Sequence, residues 1–380
     1  MVLAHSPAVG ASAAGIFTVA MVPVTRDLGL TRRSRNVLIA AAVQPTRPTI
    51  RDVAQRAQVS LSTVSVVLNA TAPASEHTRR RVLAAVRELG YEPNSHARNL
   101  RSGRAQAVGL IVPDILNEFF ALVAEGVQEE ARRRDYLLVL CSSDAEPEQE
   151  AGNARLIRAN RLDGVVHLSG TGTSPEPLLA LAEDVALVVV DERIEGLDRP
   201  FVGSDNRRGA RLAAELALAN GHRRFGIVEG PPALWTARQR LAGYRDALSE
   251  AGIDADAVGS VAGDYRVASG VAAAQELLRG PRRTRPTALL VANDLMAVGC
   301  LRHCAGAGIR VPEDVAIVGY DDVPLAALVT PALTTVRQPA RELGRTAVGL
   351  LLDLIEGRDV PPDVDLPAEL VVRESLGPVA

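Results

Sequence analysis

Short apolar runs alternate with amphipathic segments from Ala107 onward, over about 270 residues, and this alternation limits the fold more than any other feature. Seven runs are apolar throughout, as expected for parallel strands that helices cover on both faces. These predicted strands are Ala107–Pro113, Tyr136–Cys141, Gly164–Leu168, Ala186–Val190, Phe225–Val228, Ala288–Val291 and Val315–Val318. The predicted helices between them include Phe119–Arg134, Arg207–Ala219, Gln239–Ala251 and Asp294–Ala307. The pattern predicts a doubly wound α/β body, and its length favours two lobes with a cleft between them.

Charge is distributed unevenly along the 380 residues, whose formal net charge is −3. Residues 1–47 contain five Arg and one acidic residue, and residues 48–104 contain nine Arg and four acidic residues. The rest of the chain contains 28 Arg and 40 acidic residues, so a basic front end precedes an acidic body. This asymmetry is typical of a protein that contacts a polyanion at one end only, although it also arises by chance.

The three cysteines provide no disulfide framework, which fits a reducing compartment. Cys300, His303 and Cys304 share one helical segment without a second cluster of ligands. We therefore interpret Cys300 and Cys304 as buried apolar residues, and we expect neither a metal nor another cofactor.

No run of 18 apolar residues is present, so we predict no transmembrane helix. The mildly apolar segment Ala8–Val22 follows no basic stretch and is a weak candidate for a secretory signal. Residues 1–47 are predicted to be an irregular extension, and Met21 is an alternative start. The signatures of serine hydrolases, zinc proteases and phosphate-binding loops are missing, which predicts that the chain is not an enzyme.

Residues 49–91 contain the pattern of three short helices. Thr49 precedes the first helix, and Asp52 three positions later completes a sequence typical of a capping box. Gln58-Val59-Ser60 forms the turn, after which Ser60 is expected to cap a second helix, Leu61–Leu68. Ser75 is expected to cap a third helix, Thr78–Leu89. Two short helices joined by a tight turn and supported by a third predict a helix-turn-helix.

The outward face of this unit suits DNA. Short side chains at the start of the second helix can approach the major groove: Ser60, Leu61, Ser62, Thr63 and Ser65. Hydroxyls, helix N-terminal amides and Arg79–Arg81 can hold phosphates. The alternative is a small helical bundle that binds no ligand.

The stretch Thr49–Asn69, TIRDVAQRAQVSLSTVSVVLN, resembles the start of the lactose/galactose-repressor (LacI/GalR) family of bacterial transcriptional regulators. Ser75–Arg79, Gly90–Asn94 and Ala97–Arg104 continue the resemblance in order. Later matching motifs are Val108–Asp114, Asn117–Phe120, Leu162–Val166, Gly221–Arg224, Val291–Asp294, Val318–Asp322 and Thr334–Gln338. The resemblance implies an all-α helix-turn-helix head on a two-lobed α/β body, similar to a periplasmic binding protein, with doubly wound parallel sheets.

By this resemblance, Leu61, Ser62 and Val66 occupy the positions that read bases. Val66 departs from the polar or basic residue common in the family, and it offers a thymine methyl contact but no hydrogen bond. Gln58 replaces the usual Gly or Asn of the turn, so a left-handed conformation is expected there at some cost. The other predicted DNA-binding residues of the head are Thr49, Ser60, Thr63, Ser65, Asn69, Thr78 and Arg79.

The segment after the head resembles the hinge helix of the family, which forms on DNA. Ala97-Arg98-Asn99-Leu100 is one helical turn, too short to be stable alone in water. The resemblance implies that Leu100 wedges into the minor groove beside Ala97, and that Arg101 meets phosphate. The alternative is a solvated linker.

The resemblance also implies that an effector lies between the two lobes. Phe119 and Phe120 follow the first strand and are candidates for stacking on a ligand, with core packing as the alternative. Arg238 offers a bidentate guanidinium, and Asp321 ends a strand at the edge where open α/β sheets bind ligands. By matching motif positions, the other effector contacts are Asp191, Tyr265 and Asn293.

These features predict a cytoplasmic, nucleoid-associated repressor, a homodimer on palindromic operator DNA that responds to a small molecule. A sugar is the first expectation and a purine-type ligand the second. The rival interpretations are a transporter's solute-binding protein, which needs export, and a doubly wound enzyme. The predicted domains are an extension (1–47), a head (48–92), a hinge (93–104) and a body (105–380). Within the body, the first lobe takes about 105–203 and 339–363, and the second takes about 204–338 and 364–380.

Overall fold

A computed structural model describes residues 48–69, 72–91, 105–170 and 175–379, with only the backbone of Asn69. The chain forms two compact units, Met1–Pro93 and Asn94–Ala380. We refer to residues 48–91 as the head and to residues 105–379 as the body.

The head consists of three helices around a small apolar core. They are α1 (Ile50–Ala57), α2 (Leu61–Asn69) and α3 (Glu76–Leu89). Val53, Ala54, Val64, Val82 and Ala85 are among its buried side chains. The predicted helix-turn-helix is confirmed, although α3 begins two residues earlier than expected because Ser75 itself is the N-cap.

The body contains two six-stranded sheets, each with strands in doubly wound order. The strands are β1 (Ala107–Val112), β2 (Leu137–Ser142), β3 (Gly164–His167), β4 (Ala186–Val190), β5 (Phe201–Ser204), β6 (Phe225–Glu229), β7 (Gly259–Ala262), β8 (Ala288–Val291), β9 (Ala316–Asp321), β10 (Thr334–Arg337), β11 (Asp363–Leu366) and β12 (Glu369–Val371). The first sheet has the order β11-β5-β4-β3-β1-β2 and the second β12-β10-β9-β8-β6-β7. Every pairing is parallel except β10 with β12.

Nine helices of the described body cover the faces of these sheets. They are α4 (Glu118–Arg133), α5 (Pro147–Ala159), α6 (Glu176–Ala182), α7 (Asn206–Ala219), α8 (Trp235–Glu250), α9 (Val267–Leu277), α10 (Asp294–Ala307), α11 (Pro324–Leu328) and α12 (Ala340–Ile355). Helices α4 and α12 pack closely because neither Gly126 nor Gly344 carries a side chain at their crossing. A Cβ on Gly126 would lie 2.0 Å from the carbonyl oxygen of Arg341. None of the described helices is long and apolar enough to cross a membrane.

The chain passes between the lobes three times, after β5, after β10 and after β11. The return to the second lobe, predicted after about residue 363, comes after Leu366, because all of Asp363–Leu366 pairs with β5 in the first sheet. The expectation that Tyr136–Cys141 is a buried strand is also wrong. This strand, β2, forms the edge of the first sheet, and Leu137 remains 65% exposed there.

Cys300 and Cys304 lie inside the core of the second lobe, as the sequence predicted. Burial raises the pKa of both thiols, that of Cys304 to about 11. A buried thiol that stays protonated behaves as a small apolar residue and is a poor metal ligand.

Candidate functional site

Helix α1 of the head begins with the predicted capping box. The backbone amide and the hydroxyl of Thr49 both donate to Oδ2 of Asp52, each at 2.7 Å. These two bonds lower the pKa of Asp52, although its side chain is exposed. The entry into α1 is therefore set by contacts between residues only three positions apart.

The turn after α1 is stabilised by Arg81, whose structural role the sequence did not reveal. Gln58 has the predicted left-handed conformation, with φ of 49° and ψ of 49°. The guanidinium of Arg81, on α3, donates to the carbonyl oxygens of Ala57 (2.5 Å) and Gln58 (3.1 Å). Arg81 thereby satisfies the C-terminal carbonyls of α1, so the expectation that it holds a phosphate is not supported by its placement.

The start of α2 presents short side chains, as predicted. The hydroxyl of Ser60 accepts from the Thr63 amide at 3.1 Å and contacts the hydroxyls of Ser62 and Thr63. Leu61, 44% exposed, and Ser62 project outward, whereas Ser65 and Val66 are partly buried. This places Leu61 and Ser62 foremost on the outer face of the helix.

The start of α3 lies in a similar local network. The hydroxyl of Ser75 accepts from the Thr78 amide at 3.2 Å and contacts the Thr78 hydroxyl at 2.8 Å. Arg79, next in the chain, is exposed. The predicted extension 1–47, the hinge 93–104 with Ala97, Leu100 and Arg101, and the side chain of Asn69 lie outside the described residues.

In the body, a buried arginine on α8 is the centre of a polar cluster at the carboxyl ends of the second sheet's strands. Arg240, only 3% exposed, donates to Ala292 O (2.6 Å), Asn206 Oδ1 (2.8 Å) and Asp321 Oδ1 (3.3 Å). Its guanidinium lies 4.0 Å from the ring centre of Tyr320. Such a cluster is a fixed set of donors and acceptors of the kind that orients a ligand.

Asp321 accepts from a second side chain besides Arg240. The side-chain amide of Gln338 donates at 2.8 Å to its Oδ1, the same oxygen that Arg240 contacts. Burial raises the pKa of Asp321 to about 6, while Arg240 and Gln338 act in the other direction. The positive φ of 113° at Asp321 marks a strained backbone at this strand end, which is common where a site is built.

The structure places Arg238, the arginine chosen from the sequence, outside this cluster. Arg238 is exposed and donates to the carbonyl oxygens of Pro232 (3.1 Å) and Ala233 (2.6 Å). It borders a cavity of about 320 Å³ that Arg193 and Trp235 also line. Helical phase explains this placement, because Arg240 precedes the buried Tyr244 and Ala247 by four and seven positions, whereas Arg238 is on the opposite face.

The other predicted effector residues divide between the cluster and the core. Asn293 caps α10 by accepting from the Met296 amide at 2.9 Å, and its amide donates to Tyr265 O at 3.1 Å. Tyr265 lies against Gly230, where a Cβ would approach its hydroxyl to 2.4 Å. Asp191 directly follows β4, is buried, has a φ of 65°, and its Oδ1 lacks a hydrogen-bond partner among the described residues.

The two phenylalanines are not equivalent. The ring of Phe119 is buried in the core of the first lobe, which fits the packing alternative and not ligand stacking. Phe120 is partly buried and lines a groove beside α4 and β2 with Ile115, Leu138 and Leu140.

Sequence reasoning missed Glu192, which links the two lobes. Its carboxylate follows β4 in the first lobe and accepts from the amides of Trp235 and Thr236 and from the Thr236 hydroxyl (2.8 Å) in the second. Burial raises the pKa of Glu192 to about 7, and Asp191 contributes in the same direction. The contacts are 43 and 44 positions apart, so no local pattern indicated them.

Comparisons with known proteins match both parts of this geometry. The profile described as "Bacterial regulatory proteins, lacI family" matches residues 49–94, and that of a periplasmic binding protein-like domain matches residues 214–376. The HTH-type transcriptional repressor PurR of Photobacterium profundum is 34% identical over 330 residues, which cover 86% of this chain and 98% of that protein. This chain belongs to the LacI family.

Other LacI-family proteins agree with the match. PurR of Escherichia coli O139:H28 is 36% identical over 86% of this chain and 96% of its own length. The crystal structure of the lac repressor dimer bound to operator and the anti-inducer ONPF superposes with a TM-score of 0.78 at 29% identity, covering 87% and 99% of the two chains. The structure of the regulator CelR in complex with cellobiose gives 0.65 at 34% identity, covering 87% and 100%.

These relatives extend over head and body alike, so the LacI-family assignment applies to both. The chain is a DNA-binding transcriptional regulator that combines a helix-turn-helix with a periplasmic-binding-protein-like effector domain. PurR, the lac repressor and CelR are all regulators, and they favour neither the solute-binding protein nor the enzyme that the sequence left as alternatives.

Proposed function

We propose that the protein is a dimeric repressor of a palindromic operator, released or tightened by a small molecule bound between the lobes. The observation that carries this proposal is the buried Arg240–Asp321 pair at the carboxyl ends of the second sheet, in the same chain as a helix-turn-helix head. The lac repressor among its neighbours is a dimer on operator with a small ligand. A two-fold protein suits a two-fold DNA site. It acts in the cytoplasm at the nucleoid, without enzymatic activity.

In the head, Leu61, Ser62 and Val66 read base edges in the major groove. Leu61 and Ser62 project from the start of α2, where short side chains permit close approach. The phosphate contacts come from residues around the helix starts. They include Thr49, Ser60, Thr78 and Arg79, and Thr63, Ser65 and Asn69 along α2 add further DNA contacts. Ala97, Leu100 and Arg101 of the hinge add a minor-groove contact.

In the body, the effector contacts Arg240 and Asp321, with Asp191, Tyr265 and Asn293 around them. We replace Arg238 by Arg240 in this set because Arg240 alone of the two is part of the buried cluster. The unpartnered carboxylate oxygen of Asp191 calls for a hydrogen-bond donor, which a sugar hydroxyl supplies. A purine is the second candidate, because an Arg–Asp pair also suits the edges of a base.

Effector binding controls the head by changing the angle between the lobes, which alters how the hinge segments 93–104 of the two subunits are presented to DNA. A typical coupling of about 1–3 kcal/mol changes DNA affinity about 5- to 150-fold. The domain limits proposed here are 48–92 for the head, 93–104 for the hinge and 105–380 for the body.

Two measurements on the full chain test this proposal. DNase footprinting on the promoter region of its own gene is expected to show one protected, two-fold symmetric site. A thermal-shift screen of sugars and nucleobases is expected to identify a ligand that stabilises the wild type and changes the footprint, but does not stabilise Arg240→Ala relative to its own baseline. A uniform footprint on all sequences would contradict the repressor role, and a ligand that stabilises Arg240→Ala equally would contradict the site.

A further inference from the structure

The N-terminus of α8 has no capping side chain of its own. The residue before the helix is Leu234, which offers no hydrogen-bond acceptor in its side chain. The first amides of a helix need acceptors, and an unsatisfied buried amide costs free energy. Here Trp235 and Thr236 donate to Glu192, so the acceptor for α8 comes from the opposite lobe.

Glu192 uses its whole carboxylate group in this contact. It follows Asp191 at the end of β4, is only 2% exposed, and both of its carboxylate oxygens accept from the start of α8. A carboxylate at a helix N-terminus is also favoured by the helix dipole. The bond across the lobes therefore performs the role that Ser60 and Ser75 perform locally in the head.

Aromatic side chains also contribute to this contact between the two lobes. The indole of Trp235, the single tryptophan of the chain, meets the ring of Phe201 from the first lobe edge to face at 6.0 Å. The guanidinium of Arg193 lies 3.9 Å from the ring centre of Phe201 and 5.5 Å from that of Trp235. Separation of the lobes would move Trp235 from this packed position into water.

The charged groups around Glu192 come from several elements. Asp191 and Arg193 flank it in its own segment, Arg238 and Arg240 lie on α8, Tyr265 precedes α9, and Asp321 ends β9. Burial raises the pKa of Glu192 to about 7, assisted by the charge of Asp191, while the bonds from Thr236 and Trp235 oppose the shift. The carboxyl thus changes charge near neutral pH at a contact between the lobes.

We propose that Glu192 is a positioning residue that latches the first lobe to the N-terminus of α8, and that the latch weakens when this carboxyl loses its proton. A group with a raised pKa in the closed state stabilises that state below its ordinary pKa of 4.5, and this stabilisation is lost as the pH rises through 7. Between pH 6 and pH 8, the ratio of closed to open lobes falls about tenfold.

The fluorescence of Trp235 in the full chain, followed from pH 5.5 to 8.5, tests the latch. The wild type is expected to shift to longer wavelength as the pH rises, with most of the change below about pH 7 and a plateau above it. Glu192→Gln retains an oxygen acceptor for the amides of α8 but no charge, so its emission is expected to be independent of pH. Glu195→Gln, on an exposed neighbour in the same segment, is the matched control and is expected to retain the wild-type transition.

Hydrogen exchange of the amides at the start of α8 is a second measurement. If Glu192 had only a local structural role, the exchange rates corrected for the intrinsic pH effect would not change with pH. The amides of Trp235 and Thr236 are expected to exchange faster at pH 8 than the intrinsic pH effect predicts in the wild type, and not in Glu192→Gln. An unchanged transition in Glu192→Gln, or its loss in Glu195→Gln, would overturn the proposal. So would a wild type whose fluorescence and corrected exchange are both constant over this range.

Discussion

The head and the cluster in the body hold their functional side chains in different ways. In the head, Thr49–Asp52, Ser60–Thr63 and Ser75–Thr78 are bonded across three positions of the chain. In the body, Arg240 reaches Asn206, Ala292 and Asp321 over 34 to 81 positions. The head's surface is thus specified locally, whereas the cluster exists only when the sheets, helices and lobes are assembled. A change in the cluster should consequently cost more than a change of a cap.

The largest expected effect is that of Arg240→Ala on the stability of the body. It leaves the buried carboxylate of Asp321 without its ion pair, and such a loss typically costs about 3–5 kcal/mol. Arg238→Ala, two positions away on the exposed face, is the matched control and should stay within about 0.5 kcal/mol of wild type. Urea unfolding of both variants measures the difference. Equal losses in the two variants would contradict the distinction between the buried and exposed faces of α8.

The next effect in size concerns the turn of the head. Arg81→Ala removes the charged donor that satisfies Ala57 and Gln58, at a cost of about 1.5–3 kcal/mol. Arg80→Ala removes an equal charge from an exposed residue whose ion pair with Glu76 is 3.8 Å long, and should cost less than about 0.5 kcal/mol. Hydrogen exchange of the α1 amides in the full chain reports the local stability. If Arg80→Ala exposed these amides as much as Arg81→Ala, the bracing role of Arg81 would be wrong.

A smaller effect concerns Arg79, which is expected to contact phosphate, in comparison with Arg87 on the same helix. Arg79→Ala is expected to weaken DNA binding on all sequences alike and to reduce the slope of log affinity against log salt concentration by about 1. Arg87→Ala, at the other end of α3, removes the same charge and should leave the slope nearly unchanged. Fluorescence anisotropy at several salt concentrations distinguishes them. A selective loss at one operator base would instead assign base reading to Arg79.

The smallest effect is the acid sensitivity of α1. Because the bonds from Thr49 lower the pKa of Asp52, the carboxylate stabilises the helix start above its ordinary pKa of 3.8. This contribution is lost as the pH falls through the lowered value. Exchange-corrected protection of the α1 amides should therefore fall at acid pH in the wild type, and should vary less with pH in Asp52→Asn. The same acid response in both proteins would show that the capping box contributes nothing.

The same contrast explains what could be predicted from the sequence. The caps Thr49 and Ser60 follow from spacing and residue type, so the local sequence is enough to predict them, whereas the left-handed Gln58 was predicted from the family resemblance. The continuous apolar runs indicated seven strands, but Phe201–Ser204 and Glu369–Val371 contain Gly, Ser or Glu and therefore form no continuous apolar run that would mark them.

The cluster in the body was predictable only in part. Asp321 and Asn293 follow strand ends, which the sequence marks. The sequence placed the start of α8 at Gln239 instead of Trp235, so it did not indicate that Arg240 lies on the buried face, which begins at Thr236. Glu192 was out of reach because its partners lie in the other lobe, and only the packing of the two lobes brings them together.

The central claim is that the α2 face of the head reads DNA selectively, and fluorescence anisotropy of the full chain tests it most directly. The duplex is a labelled segment from the promoter region of its own gene, compared with a scrambled duplex of equal composition. We predict at least about 10³-fold tighter binding to the first duplex, with affinity falling steeply as salt increases. Equal affinity for both duplexes at every salt concentration would contradict the account.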